Sequence, residues 1–260
     1  MKLGSIRLFS FLLLSFASLE LLVGQSVSAQ NPSLDIPAGT VLPVRLNHGL
    51  SSKTSVAGHV ITGRVMQDVP LPNNQKIPAG AKVLGTVLSV QRAANGTDGT
   101  ISLRFDSLEI HHHQIPVVTS LRALAGFMEV QAAQTPEFTT GYGTPYIWAD
   151  TRQIGGDEVY GVGGPVTDQW NQPVGRAVFG GVLVHLRAQP ESKCRGDLDA
   201  EDRLQALWVF SSDACGVYGI LGVTIAHAGR NDPTGEVVLT APKKDVLVRG
   251  ASAMLLCVIH

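Results

Sequence analysis

Ile36-Pro37-Ala38-Gly39-Thr40-Val41-Leu42-Pro43-Val44-Arg45-Leu46-Asn47 reads as a tight turn that opens a strand. Proline in the second turn position presets φ and glycine in the fourth relaxes the exit, which suits a type I turn. Leu42, Val44 and Leu46 then alternate with Pro43, Arg45 and Asn47, the period-2 pattern of a half-buried strand. Pro43 cannot donate to a ladder, so this strand is expected at a sheet edge, or the proline at a strand start. The same turn recurs as Ile77-Pro78-Ala79-Gly80, before a run from Lys82 to Val90.

Outward from this pair the chain remains strand-like. Ile61, Val65 and Val69 recur at even spacing, and Ile101, Leu103 and Phe105 alternate with Ser102, Arg104 and Asp106. Leu108 and Ile110 then change face, which predicts a β-bulge. Further strands are expected at Val182 to Leu186, Leu207 to Phe210, Val223 to His227, Glu236 to Thr240 and Val246 to Ile259. Helix is expected only at Leu121 to Gln134 and Asp199 to Leu204. Between residues 125 and 180, glycines and prolines break every period, and an ordered but irregular insertion is expected. Tyr142, Tyr146, Trp148, Tyr160 and Trp170 fall in it and are the candidate binding residues.

Of the 260 residues, 44% are hydrophobic and 16% charged, with net charge −1. Such a chain can bury a core, and it lacks the clustered Lys and Arg of a nucleic-acid surface. No phosphate-binding loop, HExxH helix or CxxC pair is present, and no cofactor or metal is expected.

Lys2 and Arg7 precede an apolar run from Leu8 to Leu19, and Gln25-Ser26-Val27-Ser28-Ala29 follows with small residues suited to a cut after Ala29. Residues 1–29 therefore read as a signal peptide; the alternative is an uncleaved signal anchor. The run is shorter than the roughly 20 residues that span a bilayer, and no transmembrane helix is expected after cleavage. The mature chain is expected in the periplasm or secreted. In an oxidising compartment Cys194 and Cys215 can pair, closing a loop of about 20 residues worth ~3 kcal/mol. The alternative is three unpaired, mostly buried thiols, with Cys257 in an apolar strand.

The stretch from Leu34 to Val118 resembles the barrel domain of the TrbI-like family, the outer component of conjugation and type IV secretion core channels. The resemblance is carried by Ile36 to Thr40 with Pro43, Ser51-Ser52, Gly58 to Val60, Gln67-Asp68-Val69, Ile77 to Ala81, Leu84-Gly85-Thr86 and Ile101 to Leu108. Gly250 to Val258 resembles the family's closing strand. The resemblance implies a small envelope β-barrel or sandwich over 34–120 and 245–260, with 121–244 inserted, all within one β-rich domain, 30–260. The family's inner-membrane helix and apolar helical hairpin have no counterpart here, so channel function is not carried over. The whole chain is similar to uncharacterised exported bacterial proteins that reuse this barrel.

Three constellations invite chemistry. His111-His112-His113 offers imidazoles, but neighbours in a strand face opposite ways, and a solvated hairpin tip is expected. Cys215, with Asp213 and His227, has the types of a cysteine nucleophile but no nucleophile elbow. Asp150, Asp157, Glu158 and Asp168 lie among the aromatics; two carboxylates about 5–10 Å apart could serve glycoside hydrolysis. Asn95-Gly96-Thr97 reads as a turn. The expected function is a non-catalytic structural or binding role in the cell envelope, with an envelope protein or a glycan as partner. The alternatives are a carbohydrate-binding or glycan-cleaving protein working through Trp148 and Trp170, and an accessory component of a conjugation or type IV secretion assembly.

Overall fold

The computed structural model describes residues 34–136, 150–161, 163–188, 194 and 203–259. The segment read as a signal peptide lies outside the described residues, as do Tyr142, Tyr146 and Trp148 and most of the expected helix at Asp199 to Leu204.

The fold is mainly β. A ten-stranded sheet carries Gly216–Tyr218, Thr119–Ala125, Ala253–Val258, Val41–Leu46, Val60–Val65, Lys82–Gln91, Gly99–Ile110, Val237–Ala241 and Thr224–Ala228 side by side in that order. His113–Pro116 pairs with Gly99–Ile110 and runs on toward Thr119–Ala125, bending the sheet back on itself. Val117 N donates to the Asp106 carbonyl at 3.0 Å, and the Thr119 hydroxyl to the Phe105 carbonyl at 2.9 Å. The result is barrel-like, but among the described residues its ladder ends at Gly216–Tyr218 on one side and Thr224–Ala228 on the other. Alternate residues of these strands, including Leu42, Val44, Val83, Leu103, Phe105 and Leu256, fill the inner core.

The two turns sit one residue later than expected. Thr40 N donates to the Pro37 carbonyl and Ala81 N to that of Pro78. Gly39 and Gly80 thus take the third position, at φ 81° and 89°, where a type II turn requires the left-handed region that glycine adopts cheaply.

Pro43 is not on an edge strand. Val41–Leu46 lies between Ala253–Val258 and Val60–Val65. The proline is tolerated because the Val60–Val65 ladder begins only at Val44, and no partner there needs an N–H from position 43. Met66 N instead donates to the Pro43 carbonyl at 2.9 Å, and Val41 N donates to Gln205 Oε1 at 3.1 Å. The expected bulge near Leu108 is present: pairing passes from Phe105–Gly85 to Ser107–Leu84 and skips Asp106.

The stretch 125–180, expected to be irregular, instead holds four strands of a second, six-stranded antiparallel sheet; a fifth, Gly181–Val184, matches the strand expected at Val182 to Leu186. The sheet's strands are Asp150–Arg152, Glu158–Tyr160, Pro165–Thr167, Pro173–Val178, Gly181–Val184 and Gln205–Ala206. Several are only two or three residues long, too short for alternation to show between glycine turns. This sheet packs on the outer face of the first through Val166, Val184 and Phe210 against Val41, Ala123, Ala125, Ala253 and Leu255. Ala253–Val258 and Thr119–Ala125 are consequently buried along their whole length, which accounts for the unbroken apolar run of the first and the lack of alternation in the second.

That burial also overrides the expected helix at Leu121 to Gln134. Residues 119–125 are a strand, and helix is confined to Phe127–Ala133 after Gly126. Leu207 to Phe210, expected as a strand, forms a turn in which Trp208 has φ 54°. Gln67, 1% exposed, bonds across the two layers: Nε2 donates to the Val182 carbonyl and Oε1 accepts from Trp208 N, both at 2.8 Å.

Candidate functional site

A misfit residue lies in the strand that Gly216–Tyr218 pairs with at one edge of the sheet's seam. Pairing of Thr119–Ala125 with Ala253–Val258 jumps from Ala123–Leu255 to Leu121–Leu256, leaving Arg122 in a bulge. A bulge re-aims its extra side chain. The wholly buried Arg122 guanidinium donates from Nε to the Ala214 carbonyl at 3.0 Å and from Nη2 to the Arg187 carbonyl at 2.8 Å. Cys194 and Cys215 form a disulfide with Cα atoms 6.1 Å apart, and the Cys194 sulfur lies 3.5 Å from the Arg122 carbonyl oxygen. The pairing is therefore the oxidised one, and Cys257 is a buried thiol outside it.

Gly216–Tyr218 leaves this anchor to pair in parallel with Thr119–Ala125, forming one edge of the seam. Residues 219–223 cross to Thr224–Ala228, the opposite edge. Between the edges lies a cleft of about 420 Å³, with apolar walls from Leu121, Val217, Val223 and Ile225 and with His227 and Asn231 among its polar lining residues. Thr224–Ala228 is paired along one side with Val237–Ala241; among the described residues no strand pairs with its other side. It carries neither the lysine nor the proline that commonly blunts an exposed edge, although a bulge at Ala226 twists it locally. An unpaired edge beside an apolar cleft can accept an extended chain, whose main chain supplies the hydrogen bonds and whose alternate side chains fill the cleft.

The expected site residues separate in space. Trp170, 60% exposed, rides on a turn in which Asp168 Oδ1 accepts from Trp170 N at 2.9 Å and Gln172 N at 2.8 Å. The Arg187 guanidinium lies 5.5 Å from the centre of its indole ring and is ion-paired with Asp168. Burial pushes the Asp168 carboxyl up, but the amide bonds and Arg187 outweigh it and hold the group below the usual range. Tyr160 is half-buried and donates to Glu158 at 2.9 Å. Pairing of Glu158 with Thr167 puts the Trp170 turn at the Glu158 end of that strand, with Tyr160 at the other end.

The remaining chemical candidates are engaged elsewhere. Asp157 is buried and accepts from Ser212 N at 2.6 Å; burial nevertheless raises its carboxyl above the usual range. Glu158 accepts from Arg152 at 3.0 Å. Cys215 holds its sulfur in the disulfide and offers no thiolate, while His227 Nδ1 lies 2.7 Å from the Glu236 carbonyl oxygen. His111 and His112, at φ 49° and 67°, form the exposed turn between Gly99–Ile110 and His113–Pro116. No cluster of three or more metal-ligating side chains occurs among the described residues.

The strand expected at Val223 to His227 is observed at Thr224–Ala228, but no expectation marked it as an edge or singled out Arg122. The one available signal for the latter was a lone arginine inside an otherwise apolar run, Leu121-Arg122-Ala123-Leu124-Ala125.

No family description matches this chain, nor does any curated protein or solved structure.

Proposed function

We propose that this is an exported, non-catalytic protein of the cell envelope whose TrbI-like barrel holds an extended segment of an envelope partner in its seam. The observation that carries the reading is the unpaired side of Thr224–Ala228 facing an apolar cleft. The disulfide, and the lack among the described residues of a helix long and apolar enough to cross a membrane, are compatible with an extracytoplasmic site of action. Arg122 and the disulfide support the binding role, because they brace the edge opposite Thr224–Ala228.

A photo-crosslinking side chain placed at Val217 in the exporting cell tests the reading. A discrete adduct is expected there, absent from the same probe at Phe179 on a distant hairpin, and lost when Ile225→Pro blocks strand addition. An adduct insensitive to Ile225→Pro refutes strand capture. The exposed Trp170 ring favours a second reading, carbohydrate binding through stacking. Glycan-array binding that Trp170→Ala abolishes, with no adduct at Val217, selects it.

A further inference from the structure

Three of the large apolar side chains exposed to solvent meet at one place outside the seam. Met128 on the short helix, Leu221 on the 219–223 crossing and Leu247 on the strand Leu247–Val248 are 64%, 90% and 55% exposed. All three line a single shallow groove with Lys244 and Arg249. Exposed apolar residues scattered singly need no explanation, but three converging from three chain segments do.

The surroundings are basic. Lys244 donates through Nζ to the Leu221 carbonyl, which places its ammonium beside the most exposed of the three apolar side chains. Asp245 is the carboxylate within the groove and is turned to internal donors, accepting from the Ser52 hydroxyl at 2.8 Å and Ala93 N at 3.0 Å. Those bonds hold its carboxyl below the usual range, and Lys53 and Arg92 add to the effect. Lys243 is exposed beside Lys244, its amide donating to Asp98 at 3.0 Å. Glu129 approaches from the helix side, facing Gly219. The groove thus presents Lys244 and Arg249, with exposed Lys243 next to them in the chain, while the carboxylate of Asp245 is taken up by internal donors and Glu129 stands on the helix side.

We propose that this face docks the protein on an anionic lipid bilayer, with Leu221, Leu247 and Met128 entering the headgroup boundary and Lys244 and Arg249 meeting lipid phosphates. Neither element suffices alone: a few apolar side chains give marginal adsorption, and each basic group near an anionic surface adds ~1 kcal/mol. Together they give the two signals that stable peripheral binding requires. The proposal is independent of strand capture in the seam, since it rests on different side chains.

Flotation of the purified full chain with vesicles of phosphatidylglycerol and phosphatidylcholine tests it, against vesicles of phosphatidylcholine alone. The neutral vesicles report adsorption that needs no anionic lipid. Binding to the anionic vesicles is expected, falling at least tenfold in Lys244→Glu/Arg249→Glu and severalfold in Leu221→Ser/Leu247→Ser. Leu221→Trp should shift its emission to the blue on the anionic vesicles only. Circular dichroism of each variant confirms folding. Equal binding to both vesicle types, anionic binding untouched by the serine variant, or binding to polyglutamate without binding to vesicles overturns the proposal. Ile225→Pro should leave flotation unchanged, which separates failure here from failure of the seam.

Discussion

Arg122 Nε donates to the Ala214 carbonyl at 3.0 Å, one residue before the cysteine that closes the disulfide. A fully buried cation thereby ties a bulge in one sheet to the chain segment that forms the seam's edge. Local hydrogen bonding and a covalent link converge on the same few residues.

Removing the guanidinium leaves the Ala214 and Arg187 carbonyls without these donors and opens space in a packed layer. Arg122→Ala is expected to cost about 3 kcal/mol or more of unfolding free energy. Urea unfolding measures it, and a loss under ~1 kcal/mol would show that the bulged arginine is dispensable.

The disulfide closes a loop between positions 21 apart. Cys194→Ser/Cys215→Ser should lose about 3 kcal/mol through the wider freedom of its unfolded chain. The unfolding midpoint should fall correspondingly, while Cys257 stays unreactive toward iodoacetamide in the native protein because it is buried.

Asp157 supplies a pH signature. Its carboxyl is raised in the fold by burial, against the bond from the Ser212 amide, so between the ordinary value near ~3.9 and its folded value the native state holds the extra proton. Its contribution is fully present below the unfolded value and is lost as pH rises through the folded one. Asp157→Asn should lack this decline, so the difference in stability between variant and wild type should move in the variant's favour as pH increases. Unfolding midpoints across a pH series read this, and parallel curves would contradict it.

Gln67 is a polar link between the two layers, beside the Val41–Gln205 bond, with both ends of its amide bonded to main chain. Gln67→Leu leaves the Val182 carbonyl and Trp208 amide buried without these partners, an expected cost of ~2–4 kcal/mol. Hydrogen exchange should then quicken at Trp208 well before it quickens in the inner core around Phe105. Uniform acceleration would mean that the two layers unfold as one unit.

Period-2 runs such as Leu42-Val44-Leu46 and Ile101-Leu103-Phe105 made most long strands legible, because alternation reports one buried face directly. The expectation of an oxidising compartment likewise made the Cys194–Cys215 pair legible. Pro43 misled because its rule concerns the missing N–H, and only the register shows where the facing ladder starts. The helix expected at Leu121 failed for a related reason. A strand covered on both faces shows no alternation, and Leu-Arg-Ala-Leu-Ala has helix-forming residues throughout.

The sequence by itself determined a β-rich chain, the places where it turns and the cysteines available to pair. These follow from φ preferences, side-chain polarity and near-neighbour spacing, all of which act over a few residues. The tertiary structure alone decided that among the described residues the sheet's ladder stops at Gly216–Tyr218 and Thr224–Ala228, that Arg122 falls in a bulge, and that Met128, Leu221 and Leu247 meet beside Lys244. Those outcomes depend on register between strands more than a hundred residues apart, as when Ala123 pairs with Leu255 and Leu121 with Leu256. A single unmatched residue there sets which side chain falls in the bulge, and no local pattern carries that information.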